Sequence, residues 1–220
     1  MSNPWVDLPL VPPYILAGDE RHVLEFNAKV PPQLAVHLEL IPEPFLGSPD
    51  APVVLLNLNP GFDPRETRLH THDTVFVELS RRNLLHEPLG YPFYLLDPRI
   101  SASLGHQWWM RKLAAPIQAA GAAAVARRFL CIEYFPYHST RYRALPTELD
   151  SQQYNFALAR QAIARGSLIV IMRGKTNWTR AVPELSSYKY VYELKSPQNV
   201  TISPGNCPDG YPHIIRILES

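Results

Sequence analysis

Residues 51–62 read APVVLLNLNPGF. Val53 to Leu56 is an apolar, partly β-branched run, too short for a globular helix and suited to a strand buried on both faces. Asn57 and Asn59 bring two amides to its C-terminal end. Pro60 then ends the ladder, having no N–H to give, and Gly61 permits a turn that lets backbone approach a ligand. In open α/β sheets, ligands bind outside the carboxyl ends of the strands. The stretch therefore reads either as the floor of a small-molecule or base pocket, or as a turn whose amides satisfy local backbone.

Two further runs have the same character. Phe129 to Phe135 (FLCIEYF) is closed by Pro136, and Leu168 to Met172 (LIVIM) leads into Arg173-Gly174-Lys175. Helical spacing separates them. Val75, Phe76, Leu79 and Asn83 share a stripe within 71–85, and Trp109, Leu113 and Ile117 share a face that Pro116 should kink. Ser101 or Ser103 suits the start of the latter helix, and Thr147 or Asp150 that of a helix running to Arg165, with Gly166 behind it. A short helix is expected from Thr176, edge-strand material at 188–194 and 200–202, and a closing helix over 210–218. Strand–helix alternation with right-handed crossovers predicts a three-layer α/β/α sandwich, a single α/β domain around a mainly parallel four-stranded sheet. Residues 1–50 read as a proline-rich arm packed on it. The polar turns after the strands, with Ser203-Pro204-Gly205-Asn206 as a fourth, should then meet along one sheet edge.

A chain of 220 residues, 46% hydrophobic and 19% charged, fits a folded globular protein. Its net charge of +1 provides no global field for nucleic acid or an anionic membrane, although a local patch would suffice. The 23 prolines concentrate in connections and predict ordered loops of fixed shape. Two cysteines, Cys131 and Cys207, form no Cys-x-x-Cys pair, so neither an iron–sulfur cluster nor a cysteine zinc site is expected. No apolar run approaches the roughly 18 residues of a membrane span and no basic-then-apolar leader opens the chain, so a cytoplasmic location is expected. His70, His72 and Asp73 lie close together, but helix positions two apart do not face each other. A solvated helix start is expected there rather than a metal site.

In order and spacing, the four turns resemble the uracil-DNA glycosylase superfamily, nearest to its single-strand-selective and mismatch-specific branches. Asn57-Leu58-Asn59-Pro60-Gly61-Phe62 is similar to the family's Gly-x-Asn-Pro-Gly motif apart from the leading Gly. Ile132-Glu133-Tyr134-Phe135-Pro136 resembles the strand end His-Asn-Tyr-Cys-Pro. Gly174-Lys175 resembles the Gly-Lys of the mismatch branch, and Ser203-Pro204-Gly205-Asn206 stands where the family has His-Pro-Ser-Pro or Asn-Pro-Ser-Gly. The likeness spans about residues 50 to 215 and implies hydrolysis of the bond between a flipped base and its sugar in DNA. It implies that Asn59 holds the attacking water, that Gly61 leaves room beside the base, and that Phe62, Phe93 or Tyr94 stacks on it. Asn57, Pro60, Tyr134, Gly174, Lys175, Gly205 and Asn206 would complete the base site, with no cofactor and no metal.

Two positions depart from the pattern. Glu133 stands where the family reads uracil with Asn. An ionised carboxylate only accepts hydrogen bonds and would prefer an edge with two donors, as on guanine; otherwise it points away or pairs with Arg173 or Lys175. Ser203 replaces a His or Asn that polarises the base oxygen, and losing one such donor typically lowers rates about 10²–10³-fold. Tyr137, His138, Arg141, Tyr142 and Arg143 form a basic–aromatic cluster, of which His138, Arg141 and Arg143 are the candidate contacts to nucleic acid or a nucleotide. The expectation is a glycosylase of this superfamily; the alternative is a catalytically impaired binder of nucleobases, nucleotides or nucleic acid on the same fold.

Overall fold

The computed structural model describes residues 1–220. Its centre is a five-stranded sheet built from β1 (Phe45–Gly47), β2 (Val53–Asn57), β3 (Phe129–Glu133), β4 (Leu168–Ile171) and β5 (Val191–Glu193), in the spatial order β1-β3-β2-β4-β5. The pairs β2–β3, β2–β4 and β4–β5 are parallel, and only β1 runs antiparallel, against β3. The expected sheet of four strands is thus one short. The missing strand is β1, three residues within the expected arm, where no alternation or β-branched run marks it. The edge-strand expectation at 200–202 also changes. Val200 and Ile202 are buried but lie in a loop, where Ile202 N–H bonds Lys112 O at 2.9 Å instead of extending the sheet.

β2, β3 and β4 are buried along their whole length because helices cover both faces. Val54, Leu56, Leu130, Ile132, Ile169 and Ile171 face one core with α1 (Ala17–Asn27), α7 (Asp150–Ala164) and α8 (Lys175–Ala181). Val53, Leu55, Phe129, Cys131, Leu168 and Val170 face the other. That second core is closed by α3 (Thr74–Leu84), α4 (Leu104–Lys112), α5 (Ala114–Ala120), α6 (Ala122–Arg128) and α9 (Tyr211–Glu219). Two-sided burial explains why these strands read as continuous apolar runs.

The expected helix over 71–85 is divided. α2 (Thr67–His72) ends at Asp73, whose carboxylate accepts from Phe76 N–H at 2.9 Å and starts α3. Ser103 caps α4 by accepting from His106 N–H at 2.9 Å. Pro116 begins no kink within one helix but lies in the first turn of α5, where its missing N–H is harmless. α7 starts at Asp150, with Gln152 Oε1 accepting from Leu149 N–H at 2.9 Å. No helix is long and apolar enough to cross a membrane.

Candidate functional site

Because β2, β3 and β4 are parallel, Asn57, Glu133 and Arg173 leave the same sheet edge. A cavity of about 670 Å³ opens there, within the range of small-molecule sites. Three chain segments build its floor and one helix its wall. Asn57 is in register with Glu133, and the turns that follow stay paired: Phe135 N–H donates to Leu58 O at 2.9 Å and Ser139 N–H to Pro60 O at 3.3 Å. This pairing brings residues 57–62 beside 133–142.

Asn59 is half-buried at the cavity. Its Nδ2 donates to Ser139 Oγ at 3.0 Å and to Pro60 O at 2.8 Å. With both amide protons engaged, Oδ1 is the end left to accept from a ligand or water. Asn57 Nδ2 donates to Glu133 Oε1 at 2.9 Å, and the Cys131 thiol donates to the same oxygen at 3.8 Å. Asn57 Oδ1 and Glu133 Oε2 are buried without a protein partner. Burial pushes the Glu133 carboxyl up to about 8, against the Asn57 hydrogen bond that favours its charged form. Burial thus favours the protonated, neutral carboxyl, where the sequence reading takes an ionised acceptor. It neither points away nor pairs with Lys175, whose Nζ meets Glu193 at 2.7 Å.

His138 braces this floor. Its Nδ1 faces Gly61 O at 2.7 Å and its Nε2 faces Ile41 O at 2.9 Å. Both ring nitrogens thus face backbone carbonyls, which only accept. Glu43 lies beside this ring and accepts from Tyr94 O–H at 3.2 Å, and burial raises its carboxyl against the pull of His138. His70 is 2% exposed, which corrects the expectation of a solvated position; His72 and Asp73 are exposed. Burial, followed by the charge of His138, holds His70 well below the usual histidine range. Its Nδ1 accepts from Ile41 N–H at 3.0 Å, placing the proton on Nε2.

Glu43, His70 and His138 bring donor atoms within 4.8 Å of one another, so a metal would be sought there. The donor set does not fit one. Both nitrogens of His138 are taken up by the carbonyls of Gly61 and Ile41, and His70 could ligate through Nε2 only as an imidazolate. The cluster instead underpins the Asn59-Pro60-Gly61 turn through the contact of His138 Nδ1 with Gly61 O.

The wall is α4. Leu104, Gly105, Trp108 and Arg111 face the cavity, and the half-buried Trp108 ring is its principal flat surface. Trp108 meets Trp109 edge-on at 4.7 Å, with Lys112 Nζ 5.6 Å from its centroid. Arg111, Arg141 and Arg173 are exposed at the mouth and form no ion pair, whereas Arg65 is held by Asp63 at 2.7 Å. A nearly neutral chain thus carries three uncommitted cations at one opening.

Of the candidate base-site and nucleic-acid-contact residues, Asn57, Asn59, Pro60, Gly61, Phe62, Glu133, His138 and Arg141 line this cavity, as do His70, Trp109, Tyr142 and Arg173. Phe62 is already stacked on His37, with centroids 3.3 Å apart and planes 2° from parallel. The others lie elsewhere. Phe93 and Tyr94 are core residues packed on Trp109 and Phe76, and Tyr134 is buried against Phe156 and Trp178. Gly174, at φ 69°, starts α8, and Lys175 is held by Glu193. Ser203 Oγ accepts from Asn206 N–H at 3.3 Å, while the Asn206 amide clasps Ser196, Asn199 and Thr201. Ser203, Gly205 and Asn206 thus belong to a self-contained loop off the cavity lining. Arg143 lines a separate depression beside α1.

Trp108 and Arg111 lie off the apolar stripe of Trp109, Leu113 and Ile117 by which the sequence marks this helix. The available signal was a second Trp off that stripe with an Arg one turn on, a pairing that a merely solvated helix face does not need. Compared with family models, curated proteins and solved structures, the chain matches none.

Proposed function

We propose that this cavity holds a nucleobase and that the protein hydrolyses a base–sugar bond, in the manner of the uracil-DNA glycosylase superfamily its turns resemble. The observation that carries this reading is the clamped amide of Asn59. Ser139 and Pro60 take both of its protons, so Oδ1 stands ready to accept from a water at a fixed position. The water would add to the anomeric carbon as the carbon–nitrogen bond breaks. The bonding electrons leave with the base, and the proton shed by the water goes to solvent or the departing base. A proton carried by His138, which contacts Gly61 O, would favour that charge separation. Trp108 offers a face for stacking, and the arginines at the mouth suit the phosphates that flank a flipped nucleotide.

The position of Ser203 favours a second reading, a binder without catalysis. Ser203 does not line the cavity, so the loop that polarises the base in the family contributes no donor here. The two readings separate on one experiment. The protein is incubated with single- and double-stranded oligonucleotides bearing uracil, hypoxanthine, xanthine or mismatches, and abasic product is measured. Product that disappears in Asn59→Ala supports hydrolysis. Saturable binding without product supports the binder, and neither product nor binding refutes both.

A further inference from the structure

We propose that Asn57 and Glu133 together read an edge of the bound heterocycle on which one hydrogen-bond donor stands beside one acceptor. The lactam edge of uracil or hypoxanthine is the simplest example. This rests on the reading of the cavity as a nucleobase site and specifies what that site selects.

The starting point is a pair of orphans. Asn57 Oδ1 and Glu133 Oε2 are buried without a partner, in residues only 5% and 3% exposed that both line the cavity. Buried polar atoms are rarely left unpaired, because each forfeits its water without compensation. The two residues stand in register and line the same cavity floor, so a bound ligand edge is the partner both atoms lack.

Proton counting then decides the edge. The bond from Asn57 Nδ2 to Glu133 Oε1 ties the two planar groups together. With a neutral carboxyl protonated on Oε2, the free ends are an O–H donor on Glu133 and a carbonyl acceptor on Asn57. Turning the amide over, so that Asn57 accepts from a proton on Oε1, leaves an N–H donor on Asn57 and an acceptor on Glu133. Either arrangement presents one donor beside one acceptor. Only ionisation leaves two acceptors, which would instead take a two-donor edge such as an amidinium.

The surroundings of Glu133 favour its neutral form. From β3, the Cys131 thiol faces it; from β2, Asn57; from the chain before β1, the carboxyl of Glu43, a like group. Arg173, exposed after β4, is the one cation acting on it. Burial outweighs Arg173 and the two hydrogen bonds, and its carboxyl is pushed up to about 8.

The test is calorimetric titration of wild type and Glu133→Gln with uracil and with benzamidine, an amidinium of similar flatness. Measurements at pH near 6 and near 9 bracket the Glu133 transition. Wild type near pH 6 should take uracil at least about tenfold more tightly than benzamidine, the cost of one mismatched buried contact. That preference should shrink or reverse near pH 9. Glu133→Gln, whose amide keeps one donor and one acceptor at any pH, should retain the uracil preference at both. Its titration also subtracts any change belonging to uracil itself. Benzamidine preferred by wild type near pH 6, or the same pH response in Glu133→Gln, overturns the edge assignment and leaves the nucleobase site standing. No binding of either probe to either protein overturns both.

Discussion

Asn57 and Glu133 end adjacent parallel strands in register, and their side chains meet at 2.9 Å across the floor of the cavity. A buried acid fastened to a buried amide ties stability to pH. The carboxyl is raised from 4.5 to about 8 by folding. Its stabilising contribution is therefore complete below the unfolded value. As pH rises between the two, the unfolded chain ionises while the folded chain does not, and stability falls by about 1.4 kcal/mol per pH unit. The loss is complete once pH passes the folded value. Urea unfolding of wild type and Glu133→Gln across this window should show a wild-type decline that the variant lacks, apart from the slope left by Glu43. Parallel profiles would place the charge of Glu133 in solvent.

The two neighbouring tryptophans of α4 should separate under mutation. Trp109 is 3% exposed, and Trp109→Ala should cost about 3–5 kcal/mol of stability, read from the denaturant midpoint. Trp108 is half-buried at the cavity, so Trp108→Ala should cost much less and instead weaken nucleoside binding about tenfold or more. A Trp108→Ala variant that binds like wild type would remove the stacking surface.

Ser139 fixes the amide of Asn59 without standing in for it. Ser139→Ala deletes one hydrogen bond, and a stability loss of about 1 kcal/mol is expected. Any glycosidic turnover should fall further than this stability loss alone explains, with KM nearly constant, because Oδ1 is no longer held toward one water position. A change in KM alone would assign Asn59 to binding.

Gly174 marks a backbone constraint at the end of the central strands. Its φ is 69°, and a Cβ there would come within 2.9 Å of Leu58 Cδ1, a side chain of the cavity lining. Gly174→Ala should lower stability by about 1–2 kcal/mol. It should also disturb ligand affinity through Leu58, as titration with a nucleoside would show.

The legible parts of this fold were those with one physical cause. β2, β3 and β4 stood out because both faces are buried, so no polar residue interrupts them. Their shared direction, and with it the meeting of Asn57, Asn59 and Glu133, follows from crossover geometry. The parts that stayed hidden depend on long-range pairing. β1 is three residues that become a strand only because β3 has a free edge. Phe93 and Tyr94 read either as base-stacking residues or as core under a loop, and they are core, packed on Trp109 and Phe76. His70 looked like a helix-start residue, and its burial is set by His138 and Ile41, distant in the chain. Glu133 lines the cavity, but its charge state depends on how deeply the sheet edge is enclosed, which spacing does not encode. The resemblance to the glycosylase motifs led to the first turn and to the end of β3. It did not lead to α4, whose Trp108 and Arg111 belong to no quoted motif.

The central claim is that one flat heterocycle sits between Trp108 and the Asn57–Glu133 pair. The most direct measurement is a crystal structure of the protein soaked with uracil or hypoxanthine. The account predicts a single ordered base in this cavity, its edge within hydrogen-bond distance of Asn57 Oδ1 and Glu133 Oε2 and its face against Trp108. A base ordered at another site, or a cavity left without one at saturating ligand, would contradict it.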